Sequence, residues 1–378
     1  MTVTLRPRAV GMRLVHASDI RIEGLYCPLP PVVAVDPTPY PDVLAWMERF
    51  DLGEEGDQRE AYAEAGAYFA VDNFPLADAL GQRLLARLFV LGFYFDDVYC
   101  EPLSRGEPKP RQAWELFERL ADCLIDTASR PGTHPAITAP VTLATADFVR
   151  DLQRHYSSIV LKAFAGGWRT WIGGLRWEVA LDRRAPSLAE FFTGRFDNFG
   201  AEVLTVVGGA GSGLGLDEPP GRAPYTRALI QAGWALVIIY NEWASYAKEQ
   251  RAGTGSSNLV EITAAELGAG TREAVIETVR LHDRIMEVFL RLAEMCRAEG
   301  GRSAGWVDFM NATVAGHLTF CTRTNRYGWP PDRELIVVDR PCVTSGTTPL
   351  PEPLHWWWRE AGLPLGDGSD HVRRGSER

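Results

Sequence analysis

Leu84–Glu101 reads LLARLFVLGFYFDDVYCE, a long apolar run that ends abruptly in Asp96, Asp97 and, four residues later, Glu101. At about 100° per residue, Phe89, Phe93, Asp96 and Cys100 fall on one helical face, with Asp97 and Glu101 on the adjoining one. An aromatic wall then leads up to an acidic rim. Three carboxylates within about 8 Å of helix rise repel one another unless water or cations screen them, and hard oxygen ligands of this kind suit Mg²⁺. A core helix that merely emerges into solvent has the same pattern, so the remainder of the chain has to decide between the two.

The 378 residues suffice for a sizeable core, and twelve Trp, sixteen Phe and eleven Tyr can line an apolar cavity as well as fill that core. A net charge of −10 without a basic stripe argues against nucleic acid, and an anionic ligand would need divalent cations and local Arg or Lys. Cys27, Cys100, Cys123, Cys296, Cys321 and Cys342 show no paired spacing, so neither a disulfide framework nor a zinc site is indicated. The N-terminus lacks an apolar signal core, and no apolar run approaches about 18 residues. The expectation is a reduced, cytoplasmic protein with no membrane span.

Residues 1–42, rich in Pro and turn formers, read as an extended leader over the body. Helical spacing follows from Val43, over Ala61–Ala70, through the Leu84 helix, and over Trp114–Ala128, Thr142–Leu181, Tyr225–Gln250, Thr271–Glu299 and Arg302–Tyr327. Strand signals are nearly absent. Ser187 reads as an N-cap, and Ser104–Arg111 as a polar turn. Gly208–Pro224 reads as a glycine-rich loop without a G-x-G-x-x-G register, so no dinucleotide site is expected. Residues 331–378 form a Pro- and Gly-rich, partly flexible tail whose charged end should fray. The whole is expected to be an all-α chain with one catalytic domain over residues 43–330.

Tyr240–Gln250, YNEWASYAKEQ, supplies a second set of oxygen donors. Asn241, Ser245 and Glu249 recur every four residues and so share one helical face across roughly 12 Å. An amide, a hydroxyl and a carboxylate suit a second Mg²⁺ site, although a partly solvated polar face has the same look. Trp234, Val237 and Ile238 give this face an apolar lead-in. Both helices therefore share a design, apolar wall first and oxygen ligands last.

Together the two stretches resemble the class I terpene synthases, the bacterial cyclases of isoprenoid diphosphates. That family places a D-D-x-x-D or D-D-x-x-x-E motif opposite an Asn/Ser/Glu motif across the mouth of an α-helical barrel. Asp96-Asp97-x-x-x-Glu101 and Asn241-x-x-x-Ser245-x-x-Lys248-Glu249 match, while Glu242 and Trp243 replace the usual Asp and small aliphatic residue, neither of them a ligand in the family. Arg195 stands 46 residues before Asn241, where the family has a diphosphate-sensing Arg in a segment like R-R-x-T-x-G. Here that segment is Arg195-Phe196-Asp197-Asn198-Phe199-Gly200. Gly316-His317-Leu318-Thr319-Phe320 leads to Arg326-Tyr327, similar to the family's terminal Arg-Tyr pair, with Phe320 where Trp is usual.

The resemblance implies a single-domain α-helical barrel of the class I terpenoid synthase type and three Mg²⁺ held by Asp96, Asp97, Glu101, Asn241, Ser245 and Glu249. It further implies that Arg195, Lys248, Arg326 and Tyr327 grip an isoprenoid diphosphate whose loss leaves a carbocation, a carbon–oxygen lyase reaction of secondary metabolism. Phe89, Phe93, Asn198, Phe199, Trp234, Val237, Ile238 and Phe320 are the candidate pocket residues, Phe199 by its main chain. The substrate is expected to be farnesyl diphosphate, or geranyl or 2-methylgeranyl diphosphate. Leu25-Tyr26-Cys27-Pro28 and Tyr99-Cys100-Glu101 look like the 2-methylisoborneol synthase branch. A geranylgeranyl diphosphate cyclase, a chain-elongating prenyltransferase (which would carry a second Asp-rich motif) and a non-catalytic carrier of apolar ligands are the alternatives. A homodimer is left open.

Overall fold

The computed structural model describes residues 4–5, 24–53, 56–105, 111–181, 184–215, 223–253, 257–327, 336–341 and 349–365. Most of the leader before residue 24, much of the Ser104–Arg111 turn, Cys342 and the charged end lie outside these ranges. The described chain is built almost wholly of helices: α1 (Tyr40–Phe50), α2 (Asp57–Asn73), α3 (Ala79–Phe95), α4 (Glu101–Arg105), α5 (Arg111–Ser129), α6 (Pro140–His155) and α7 (Ser158–Leu181). They continue with α8 (Leu188–Phe199), α9 (Ala201–Gly211), α10 (Pro224–Ala252), α11 (Leu259–Leu267), α12 (Thr271–Glu299), α13 (Gly301–Arg323) and α14 (His355–Ala361).

Two helices organise the rest. From Ala228 to Trp243, α10 is buried on nearly every side, as a helix apolar all round must be. It packs against α8, α11, α12, α13 and α14, while α3 packs against α1, α2, α6 and α9. Asp78 caps α3 by accepting from Gly81 N at 2.7 Å. The expected cap at Ser187 is present as a reciprocal box: Ser187 Oγ accepts from Glu190 N at 3.2 Å, and Glu190 Oε2 from Ser187 N at 2.8 Å. Among the described residues no helix is long and apolar enough to cross a membrane.

Several local expectations are corrected. Thr142–Leu181 is two helices, because Tyr156 turns extended and the chain restarts at Ser158. The first four residues of the Gly208–Pro224 stretch close α9; tertiary packing overrides poor glycine propensity there, since a Cβ on Gly209 would come within 2.7 Å of Trp306. α13 stops at Arg323, where Thr324 goes extended.

Strands also occur: β1 (Thr4–Leu5), β2 (Leu25–Tyr26) and β3 (Ile336–Val338) form a parallel sheet in the order β1-β3-β2. These pieces, two or three residues long, carry no readable alternation. They join segments from the two ends of the chain. Beyond β3, α14 packs on α10 and α12, with Trp357 buried against Phe196.

Candidate active site

The first acidic arm forms where α3 gives way to one π-turn over Asp96–Cys100, in which Glu101 N–H donates to Asp96 O, an i→i+5 bond. In a regular α-helix, residues five apart sit about 140° apart, whereas the wider turn stacks Glu101 roughly over Asp96. Cys100, four residues on, is buried beside Asp96. Asp96, Asp97 and Glu101 each offer an oxygen within 4.8 Å of the others.

Cations already lean on this arm. Arg326 grips Asp97 with both ends of its fork, Nη2 to Oδ1 at 3.0 Å and Nη1 to Oδ2 at 3.1 Å, and its guanidinium lies 3.6 Å from the centre of the Phe93 ring. Tyr62 OH donates to Asp97 Oδ2 at 2.7 Å. Lys248 Nζ donates to Glu101 Oε1 at 3.3 Å. Asp97 is thus held back by Arg326 and Tyr62, while Asp96 and Glu101 form part of the cavity wall.

The second arm lies on α10. Asn241 Nδ2 donates to Tyr327 OH at 2.7 Å, Ser245 Oγ to Glu242 O at 3.4 Å, and Glu249 Oε2 accepts from Asn258 Nδ2 at 3.0 Å. Arg195 joins this arm from α8. Its Nε donates to Glu242 Oε1 at 2.9 Å, its Nη2 to Asn241 Oδ1 at 3.4 Å, and its Nη1 to Asn198 Oδ1. Asn198 Nδ2 in turn donates to Glu178 Oε2 at 2.7 Å.

Local backbone makes this meeting possible. α8 ends at Gly200, whose φ of +75° suits glycine and lets α9 start on a new axis directly after Phe199. α7 presses against that break at Gly174, where a Cβ would lie 2.1 Å from Asn198 N. Glu178, one turn further along α7, therefore reaches Asn198.

Both arms open onto one cavity of about 200 Å³. Phe89, Phe93, Asn198, Phe199 and Phe320 line it, joined by Phe69, Trp168 and Trp171. The rings interlock, with centroids 4.3 Å apart for Phe69 and Phe89, 4.0 Å for Phe89 and Phe93, and 5.6 Å for Phe89 and Phe320. Arg195, Asn241, Ser245, Lys248, Glu249, Arg326 and Tyr327 also reach it.

Trp234, Val237 and Ile238 are corrections. They lie in the core outside the cavity wall, because α10 is covered by α8, α12 and α13 at that depth. Trp234 packs on Phe74 and Phe199, and its Nε1 donates to Thr205 Oγ1 at 2.7 Å.

Electrostatics set the rim's demands. Burial, with Glu178, Asp97 and Glu101 nearby, pushes the Asp96 carboxyl well above the usual carboxylate range. Burial also raises Glu178, despite Arg195 and Asn198. Asp97 goes the other way: burial opposes its charge, but Arg326, Lys248 and Tyr62 hold it below the usual range. Burial penalises charge on Arg195, yet Glu242, Glu178 and Glu249 keep it firmly protonated. A hard divalent cation would relieve the crowding at Asp96, and the oxygen donors of both arms suit one.

A family model described as terpene synthase family 2, C-terminal metal binding, matches residues 87–287, which span both arms and Arg195. The chain belongs to this family. It is a class I terpene synthase, an enzyme with a metal-binding domain. It is similar to tsukubadiene synthase of Streptomyces tsukubensis, at 26% identity over 90% of this chain and 99% of that one. It is also similar to the farnesyl diphosphate-cyclising (+)-T-muurolol synthase of Streptomyces clavuligerus, at 26% identity over 76% and 71%. The fold matches the crystal structure of a-eudesmol synthase with a TM-score of 0.68, at 20% identity over 81% and 100%.

Some residues of this terpene synthase site escaped sequence reasoning. Glu178 carried one signal, a carboxylate two residues after Arg176 in the otherwise apolar run Leu175–Leu181. Tyr62, Asn258 and His317 carried none that spacing could reveal, since each reaches the site from a different element. Glu242, set aside as a non-ligand, is the buried counter-ion of Arg195, 2.7 Å from its Nη2. Burial raises the Glu242 carboxyl to about 7, against the pull of Arg195.

Proposed function

We propose that this enzyme binds farnesyl diphosphate with Mg²⁺, ionises it and cyclises the resulting carbocation to a cyclic terpene, releasing diphosphate. The observation that carries the reading is the convergence of two oxygen-bearing arms and three cationic side chains on the mouth of one aromatic cavity. In this reading Asp96, Asp97 and Glu101 on one side, and Asn241, Ser245 and Glu249 on the other, hold the ions, three in number by family resemblance. When bound, Mg²⁺ supplies charge neutralisation for the leaving diphosphate.

The chain's own residues do the rest. Arg195, Arg326 and Lys248 are paired with Glu242, Asp97 and Glu101 in the free protein, so they enter the reaction charged and oriented. A diphosphate would compete for these cations, and Asp96, Asp97 and Glu101, freed from Arg326 and Lys248, would hold the metal. Arg forks bind phosphate oxygens bidentately, and Tyr327 OH adds a donor. The hydrocarbon chain then lies against Phe89, Phe93 and Phe320, whose faces stabilise positive charge by about 0.5–2 kcal/mol each and whose bulk keeps water away.

Farnesyl diphosphate is favoured because the T-muurolol synthase relative is described as cyclising it. Incubation of the protein with geranyl, 2-methylgeranyl, farnesyl or geranylgeranyl diphosphate and Mg²⁺, followed by gas chromatography and a diphosphate-release assay, tests the proposal. The expected outcome is a cyclic fifteen-carbon product with Mg²⁺-dependent release. Preference for another chain length would replace the substrate, and no release with any of the four would overturn the reading.

A further inference from the structure

Asn258 belongs to neither oxygen arm, yet it is bonded to two residues of the helix that carries the second. It precedes α11 and is 1% exposed. Its Oδ1 accepts from Val260 N at 3.0 Å and caps the helix. Its Nδ2 donates to Glu249 Oε2 at 3.0 Å and to Glu242 O at 2.9 Å. An amide NH₂ carries two protons, so both donations are full hydrogen bonds. The orientation is unambiguous: only the oxygen can accept from Val260 N, and only the nitrogen can donate to a carboxylate.

The start of α11 is further bolted to α10 by Leu259 N, which donates to Glu242 Oε2 at 3.0 Å. Asn258 therefore stands on a fixed platform. Ordering a glutamate side chain costs up to about 2 kcal/mol when a ligand pins it. A bond to one carboxylate oxygen removes part of that cost before the ligand arrives.

We propose that Asn258 is a positioning residue that holds the Glu249 carboxylate in place, through Oε2, for a divalent cation at the cavity mouth. This rests on the reading of Glu249 as a metal ligand. Asn258 does not touch the substrate; it acts through Glu249. The same side chain caps α11, so capping and positioning must be separated by the choice of variant. Asn258→Ser keeps a good N-cap but has no amide to reach Glu249. Asn258→Asp keeps the cap and the size but sets a carboxylate against a carboxylate.

The test uses the full-length protein with Mn²⁺ as the probe and inorganic diphosphate as the anion, read by titration calorimetry and Mn²⁺ electron paramagnetic resonance, with melting temperatures alongside. Wild-type protein should bind Mn²⁺. Asn258→Ser should weaken that binding by about 10- to 100-fold, the usual consequence of losing a ligand's hydrogen-bond partner, and Asn258→Asp by at least as much, with melting temperatures little changed. In a Glu249→Gln background, Asn258→Ser should weaken Mn²⁺ binding by no more than about twofold, because a residue that acts through Glu249 has nothing left to position. Either Asn258 variant binding Mn²⁺ as wild type does, or equal losses from Asn258→Ser with and without Glu249, would overturn the proposal. Unchanged Mn²⁺ binding by Glu249→Gln alone would instead remove Glu249 from the ligand set.

Discussion

The two arms of the site are held in opposite ways. Past the end of α3, crowded carboxylates are quieted by long cations: Arg326 on Asp97 and Lys248 on Glu101. On α10, Asn241 bonds to a phenol and to the Arg195 fork, Ser245 to a backbone carbonyl and Glu249 to an amide, and Arg195 itself is neutralised by Glu242 rather than by a metal ligand. The first arm is thus a store of exchangeable charge, whose pairing must be rearranged when metal and diphosphate enter. The second is a preformed set of oxygens on one continuous helix. Both kinds of holding are needed, because a site that must both attract a highly charged anion and stay folded without it cannot leave its own charges unpaired.

The largest expected effect falls on the preformed arm. Asn241→Ala with Ser245→Ala should cut turnover by on the order of 10²- to 10³-fold while circular dichroism stays helical. Retained activity would mean that the α10 oxygens are not used. The next contrast sits within the first arm. Asp96→Asn removes an acidic group crowded by three other acids and should raise the melting temperature of the metal-free protein, whereas Asp97→Asn breaks the Arg326 pair and should lower it, each by about 2–5 °C. Shifts of the same sign would dissolve the distinction drawn between those two neighbours.

Smaller effects sharpen what lies between the arms. Phe320→Ala opens a gap in the ring cluster and should redistribute products while diphosphate release stays within about tenfold of wild type; an unchanged product profile would remove Phe320 from the cation's surroundings. His317 is a quieter probe. Burial pushes its imidazole down to about 3, and its Nδ1 donates to Asn73 Oδ1 at 2.8 Å, so it sits neutral in the wall. The unfolded chain titrates near pH 6.5, so the stability from keeping it neutral is present above about 6.5 and is lost as pH falls toward about 3. His317→Asn should flatten the acid limb of stability by about one proton between pH 6 and 4, measured by urea melts; an unchanged slope would place that titration elsewhere.

Much of this was legible in the primary structure because it depends on short-range order. The i, i+4 spacing of Asn241, Ser245 and Glu249 is a property of any α-helix, and the Ser187–Glu190 capping box is written in four residues. Asp96 and Glu101 show the limit of such reasoning. Five residues apart, they belong on different faces of an α-helix, and only the π-turn brings them together; nothing in the residue types announces that turn. Trp234, Val237 and Ile238 show another limit. Periodicity says which residues of α10 share a face, but a helix that is apolar all round does not say which face borders a void.

By itself, then, the order of residues determined that this chain would be helical and that two apolar helices would end in oxygen donors, since propensity and periodicity act over a few residues; Arg195 and Arg326 entered as partners for an anion only through the family resemblance. Only the tertiary structure decided that Asp97 is latched while Asp96 borders the cavity, that Glu242 neutralises Arg195, and that Asn258 grips Glu249. Those contacts join residues from separate helices, and the distances between helices are set by packing, which no local rule contains.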